Sequence, residues 1–108
     1  MIIELLRFKI NPNKREEFIQ KDDEIWTTAI SSYPGYLGKE VWINPIDKNE
    51  IVMIIKWKTT EQWKSISAEE LVEISQKFDS SLGFKYEMVE SSEYQVRKFP
   101  QPNMKSDY

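Results

Sequence analysis

The 108-residue sequence contains no cysteine and no histidine. Without cysteine there can be no disulfide, thiolate nucleophile or cysteine-ligated metal. Without histidine the commonest acid–base side chain near neutral pH is gone, and so is the usual ligand of zinc or haem iron. No apolar run approaches the length of a membrane span. The opening residues, Met1-Ile2-Ile3-Glu4-Leu5-Leu6-Arg7, carry neither the basic lead nor the small-residue cleavage site of a signal peptide, so a cytoplasmic location is expected. There is no glycine-rich phosphate loop, no nucleophile elbow and no metal-ligand spacing, so neither a metal nor another cofactor is expected. A net charge of −3 argues against general binding to a nucleic-acid backbone. No membrane partner is expected either.

What the chain does have is aromatic mass and charge. Four Trp, five Tyr and five Phe supply enough apolar surface for one core, and 31% charged residues provide a solvated exterior. A single domain over residues 1–99 is expected, followed by a tail, 100–108, with Pro100, Pro102 and frayed ends. No internal repeat or linker interrupts it.

Residues 2–10 read as a strand, closed by the turn chemistry of Asn11-Pro12-Asn13. Residues 13–32 read as a helix, with Phe18, Ile25, Trp26, Ala29 and Ile30 at helical spacing, Glu16 and Glu17 near its start, and Pro34-Gly35 as its stop. Residues 36–44 and 50–58 read as a hairpin. Its second strand, apolar on both parities from Ile51 to Ile55, suits the centre of a sheet. Thr59 to Gln62 and Ser67 to Glu70 resemble capping boxes. The helix after the second places Leu71, Ile74, Ser75, Phe78 and Leu82 on one face, with Gly83 as a C-terminal stop. Residues 84–99 are extended, with a bend or bulge expected at Ser91-Ser92. The order βαββαβ, joined by right-handed crossovers, gives a ferredoxin-like α+β fold: a four-stranded antiparallel sheet with helices on one face. Ile3, Leu5, Val52 and Ile54 share the parity that no helix covers. An apolar face of that kind is expected to pack against a second copy, giving a homodimer through the sheet face.

Several motifs carry a family resemblance. Tyr33-Pro34-Gly35-Tyr36-Leu37-Gly38 precedes a strand, and the next strand ends Ile55-Lys56-Trp57-Lys58. The helix after it opens Thr59-Thr60-Glu61-Gln62-Trp63. In this order they resemble the dimeric α/β-barrel superfamily and, within it, the antibiotic-biosynthesis-monooxygenase-like domains, over residues 1 to about 90. Phe18 to Asp22, Gly38 to Trp42 and Tyr94 to Phe99 are similar to a group of small uncharacterised cyanobacterial proteins. The resemblance implies a dimeric α/β barrel with a pocket between helices and sheet in each subunit. Some members of the superfamily oxygenate polyketide-like aromatics without a metal or flavin, and others bind and degrade haem. The haem-degrading branch uses an Asn on the first strand, a Trp ending the third and a His on the second helix. Trp57 matches the Trp, but the other two positions fall near Leu6 and Ser67. The missing axial His argues against that branch.

Asp22 is the leading candidate for chemistry. At roughly 100° per residue it projects into the arc of Phe18, Ile25, Trp26 and Ala29, where a carboxylate needs a partner or a proton. It reads either as a pocket acid or base or, more plainly, as half of a structural pair with a buried Arg, Lys, Tyr or Trp donor, or as a residue on a helix tilted so that it reaches water. Glu4 shares the parity of Leu6 and Phe8 and is the second catalytic candidate; the plainer reading leaves it solvated at the sheet end. Trp26, Trp57 and Trp63, with Tyr86, are candidates for an aromatic ligand-binding wall, against a plain core role. Arg7, Lys9 and Lys56 could form a cationic rim, or pair with nearby acids. These residues point to binding, and oxidation or isomerisation, of a small aromatic or hydrophobic ligand. The alternative is a non-catalytic dimeric binding or interaction module.

Overall fold

The computed structural model describes residues 1–100. The expected tail lies outside the described residues beyond Pro100. Strand β1 (Ile2–Lys9) leads through a short 3-10 turn (Pro12–Lys14) into α1 (Arg15–Asp22). A π-helical turn (Asp23–Thr27) follows, and then α2 (Thr28–Ile30). Strands β2 (Tyr36–Ile43) and β3 (Glu50–Trp57) form a hairpin. Helices α3 (Thr60–Trp63) and α4 (Ala68–Ser81) lead to β4 (Glu87–Gln95). The sheet is antiparallel in the order β2-β3-β1-β4, so β3 and β1 are central. This is the ferredoxin-like α+β arrangement read from the sequence, with an open sheet.

The N-cap half of each capping box forms. Thr59 Oγ1 accepts from the Gln62 backbone N–H at 3.1 Å, and Ser67 Oγ accepts from that of Glu70 at 3.1 Å. Each satisfies an amide that the first turn of a helix would leave unpaired.

Under the helices, alternate residues of the central strands build the core. Phe8, Phe18, Ile51, Met53, Phe78 and Leu82 form one cluster, and Ile30, Ile55, Trp57 and Ile66 another. Phe18 stacks edgewise on Phe78 at 5.3 Å and lies 5.2 Å from Phe8, contacts that add to the area each ring buries. Leu6 and Trp26 border both clusters, so the space between the clusters lies under Trp26.

Three expectations need correction. Helix α4 does not end on a left-handed Gly83; among the described residues only Gly35 and Gly38 have positive φ, and the chain leaves at Leu82 in an extended conformation. The β4 bulge is not at Ser91-Ser92 but one step earlier, where Arg7 pairs with Glu90 and Phe8 with Met88, leaving Val89 as the extra residue. That bulge turns Glu90 to the side of the sheet that Arg7 occupies, where its carboxylate accepts from Arg7 Nε at 2.8 Å. Finally, the helix-free face is not purely apolar. Ile3, Leu5, Val52 and Ile54 hold its centre, but Arg7 bridges Glu50 and Glu90, and Lys56 pairs with Glu40 at 2.5 Å.

Gly35 (φ 90°) sets the turn into β2, and its carbonyl accepts from the Lys58 amide at 2.8 Å. A Cβ built there would lie 2.6 Å from Gln62 Cβ. Strained φ and contact add up, so Gly35→Ala is expected to lose about 2 kcal/mol in urea unfolding, while an unchanged midpoint would contradict this geometry.

Candidate functional site

The space beneath Trp26 is a cavity of about 230 Å³ between the helices and the sheet. All six sequence-derived candidates line it: Asp22, Glu4, Trp26, Trp57, Trp63 and Tyr86. Its remaining wall is mainly apolar, including Leu6, Phe18, Met53 and Phe78.

Glu4 and Trp57 arrive from the two central strands, where Glu4 sits opposite Ile55 and Trp57 opposite Ile2 on the same face. The Trp57 indole is 1% exposed, and its Nε1–H donates to Glu4 Oε1 at 3.2 Å. Burial raises the Glu4 carboxyl above the usual carboxylate range; the Trp57 hydrogen bond, Lys39 and Lys64 pull it back only in part.

Asp22 ends α1 and is the buried polar residue of the core, 3% exposed. Its carboxylate forms an ion pair with Lys39 Nζ, which also donates to Thr27 Oγ1 at 3.1 Å. Burial holds the Asp22 carboxyl above its ordinary value, Lys39 opposes the rise, and neighbouring Asp23 adds to it. The pair lies beside the π-helical turn, an irregularity that recurs at functional sites. The cavity and the ion pair, which favour different readings of Asp22, therefore occur together.

Lys39 was not singled out in the sequence. Simple alternation from Tyr36, whose ring meets Trp57 edgewise at 5.8 Å, would turn Lys39 away from the helices. The β2 register shifts between Tyr36 and Gly38, and this bulge swings Lys39 inward opposite Ile55. Gly38, at φ 144° inside a strand, was the readable signal.

The aromatic candidates differ in their attachments. Tyr86 packs against Phe8, Phe18 and Phe78 at 5.1–5.9 Å and donates its hydroxyl to Asp79 at 2.5 Å. Burial, then Asp79, raises the Tyr86 phenol far above its usual value, so it stays protonated. Lys64 Nζ lies 3.9 Å from the Trp63 ring centre. Arg7, Lys9 and Lys56 form no rim here: they share the opposite parity, and Arg7 and Lys56 are held by glutamates on that face. Leu6 lines the cavity, whereas Ser67 caps α4. Among the described residues no three acidic side chains converge as a metal site would need. No helix there is long and apolar enough to cross a membrane.

Comparison with known proteins follows the same line. The family model for antibiotic biosynthesis monooxygenase matches residues 1–73. No curated protein sequence matches the chain. A monooxygenase from the gene ActVA-Orf6 of Streptomyces coelicolor, solved with nanaomycin D, superposes with a TM-score of 0.72 at 13% identity, covering 94% of this chain and 91% of that one. SnoaB, a cofactor-independent oxygenase from Streptomyces nogalater, gives 0.61 at 14% identity, over 91% and 94%. A conserved protein from Methanosarcina mazei Go1 gives 0.63 at 16%, over 89% and 92%. At these identities the structural likeness is one of fold. The sequence match spans more than half of the chain and settles membership: this monooxygenase-like domain belongs to the antibiotic biosynthesis monooxygenase family.

Proposed function

We propose that the chain works as a homodimer whose subunits each bind a small aromatic molecule in the cavity and oxidise it with dioxygen, the ligand serving as its own reductant. The observation that carries this reading is the mainly apolar chamber with the buried Asp22 and the half-buried Glu4 in its wall. Carboxyls held above their usual range are suited to taking or sharing a proton near neutral pH. Trp57 and Trp26 shape the chamber, and Asp22 orients or deprotonates the ligand. The size sets the ligand: about 230 Å³ exceeds the roughly 150 Å³ that accepts benzene and falls below the usual range for drug-sized ligands, which suits one or two rings. The family match and the cofactor-independent relative support the oxidative part.

A second reading has an observation of its own. Asp22 is already paired with Lys39, as in a non-catalytic binding module whose acid is structural. One experiment addresses both. With 1-naphthol at about ten times Kd, the melting temperature should rise by about 5 °C or more, saturably, and Trp57→Phe should lose most of that rise. Oxygen uptake by the saturated complex supports oxidation; saturable binding without uptake supports the module. No stabilisation at any concentration counts against the pocket itself.

A further inference from the structure

The Asp22–Lys39 pair stands between two spaces. Both residues line the inner cavity, and both also line an outer groove formed with Glu16, Gln20, Asp23 and Tyr36. They are the two residues common to these walls. We infer that Lys39 belongs to the reacting site: as Asp22 takes a proton from a ligand hydroxyl, Lys39 exchanges Asp22 for the ligand's new oxyanion. This rests on the proposed function and adds to it a substrate feature, an ionisable hydroxyl on the ring, and a second residue in contact with it.

The exchange is balanced. The ligand O–H bond breaks and its electron pair stays on the ligand oxygen. A new O–H bond forms on the Asp22 carboxylate. Before the step the cavity wall holds an ammonium and a carboxylate; after it, an ammonium and an oxyanion. No net charge is created in a poorly solvated space, which removes the main electrostatic penalty against ionising a phenol there. Thr27 Oγ1, 3.1 Å from Nζ, gives Lys39 an anchor while its carboxylate partner is neutral. The proton leaves through the outer groove, because Asp22 forms part of that wall too. The other ionisable groups in the two walls are Glu16 and Asp23 on the helical side, Tyr36 on β2, Glu4 on β1 and Tyr86. None of them is a second cation, so Lys39 alone can hold the oxyanion from this group.

The test uses 4-nitrophenol, whose ionised form absorbs at longer wavelength than the neutral form. Bound to the wild type, it should show its phenolate band at least about one pH unit below where the free probe does, a tenfold change in ionised fraction. In Lys39→Met the bound probe should remain neutral up to a higher pH than in the wild type, and Lys39→Arg should restore the early band. If Lys39→Met does not fold, Asp22→Asn/Lys39→Met removes both charges together and should likewise keep the bound probe neutral. A probe that binds but ionises identically in the wild type and the neutral-pair variant overturns the Lys39 role alone. A probe that does not bind the wild type at all overturns the pocket and this inference with it.

Discussion

Lys39→Met is expected to cost the fold about 3–5 kcal/mol at neutral pH, because it strands a carboxylate inside the core. The Asp22 and Lys39 side chains are 5% and 6% exposed, so water cannot replace the lost partner. The variant's escape is to protonate Asp22. Relative to an ordinary aspartate in the unfolded chain, that costs about 4 kcal/mol at pH 7 but only about 1.5 kcal/mol at pH 5. The sign follows from proton counting. Asp22 already has a folded-state pKa above its unfolded value, and removing Lys39 raises it further. Between the two values the folded chain binds more protons than the unfolded chain, so stability is highest below the unfolded pKa and is lost as pH rises through the folded one. Glu4, also raised by burial, contributes with the same sign in the wild type. Urea midpoints at pH 5 and pH 7 check this. The deficit of Lys39→Met should shrink by more than half on acidification, and an equal deficit at both pH values would mean that Asp22 is not the stranded charge. Asp22→Asn/Lys39→Met should recover most of the loss, since replacing both members of a buried pair costs far less than removing one.

How much of this site was legible depends on which period carried the information. Asp22 faced inward at the helical step from Phe18, one turn earlier in α1, and the π-helical turn begins only at Asp23, after that step. Glu4 was readable from the alternation of Leu6 and Phe8. Both N-caps were readable because their hydrogen bonds close within three residues. Two bulges hid the rest. The one before Gly38 turned Lys39 inward, and the one at Val89 turned Glu90 toward Arg7, each reversing a parity that simple counting would assign. The serines at Ser91-Ser92 suggested a bend by their composition, but the shift falls beside the Arg7–Glu90 pair. The Trp57–Glu4 bond spans 53 residues of sequence, and no local pattern encodes it.

Leu5→Asp should convert a dimer into a monomer, as read by light scattering at micromolar concentration. Leu5 lies opposite Ile54 and Ser92, at the middle of the helix-free face, with Ile3 and Val52 nearby. The charges on that face do not bar pairing. Arg7 is held between Glu50 and Glu90, Lys56 is held by Glu40, and Glu40 also accepts from the Trp42 indole at 2.9 Å. Each of these charges therefore already has an opposite charge in its own chain before a partner arrives. Trp42 and Tyr94, half exposed on either side of this centre, add apolar area that a second sheet would cover. In a two-fold interface a substitution enters twice. Burying each unpaired carboxylate at a cost of roughly 2 kcal/mol or more would weaken association by about a thousandfold. Leu5 is only partly buried in the single chain, so the variant should keep its far-UV circular dichroism while its mass halves. A wild type that is already monomeric would refute the dimer outright. A Leu5→Asp variant that stays dimeric would move the interface to another face and leave the cavity beneath the helices untouched.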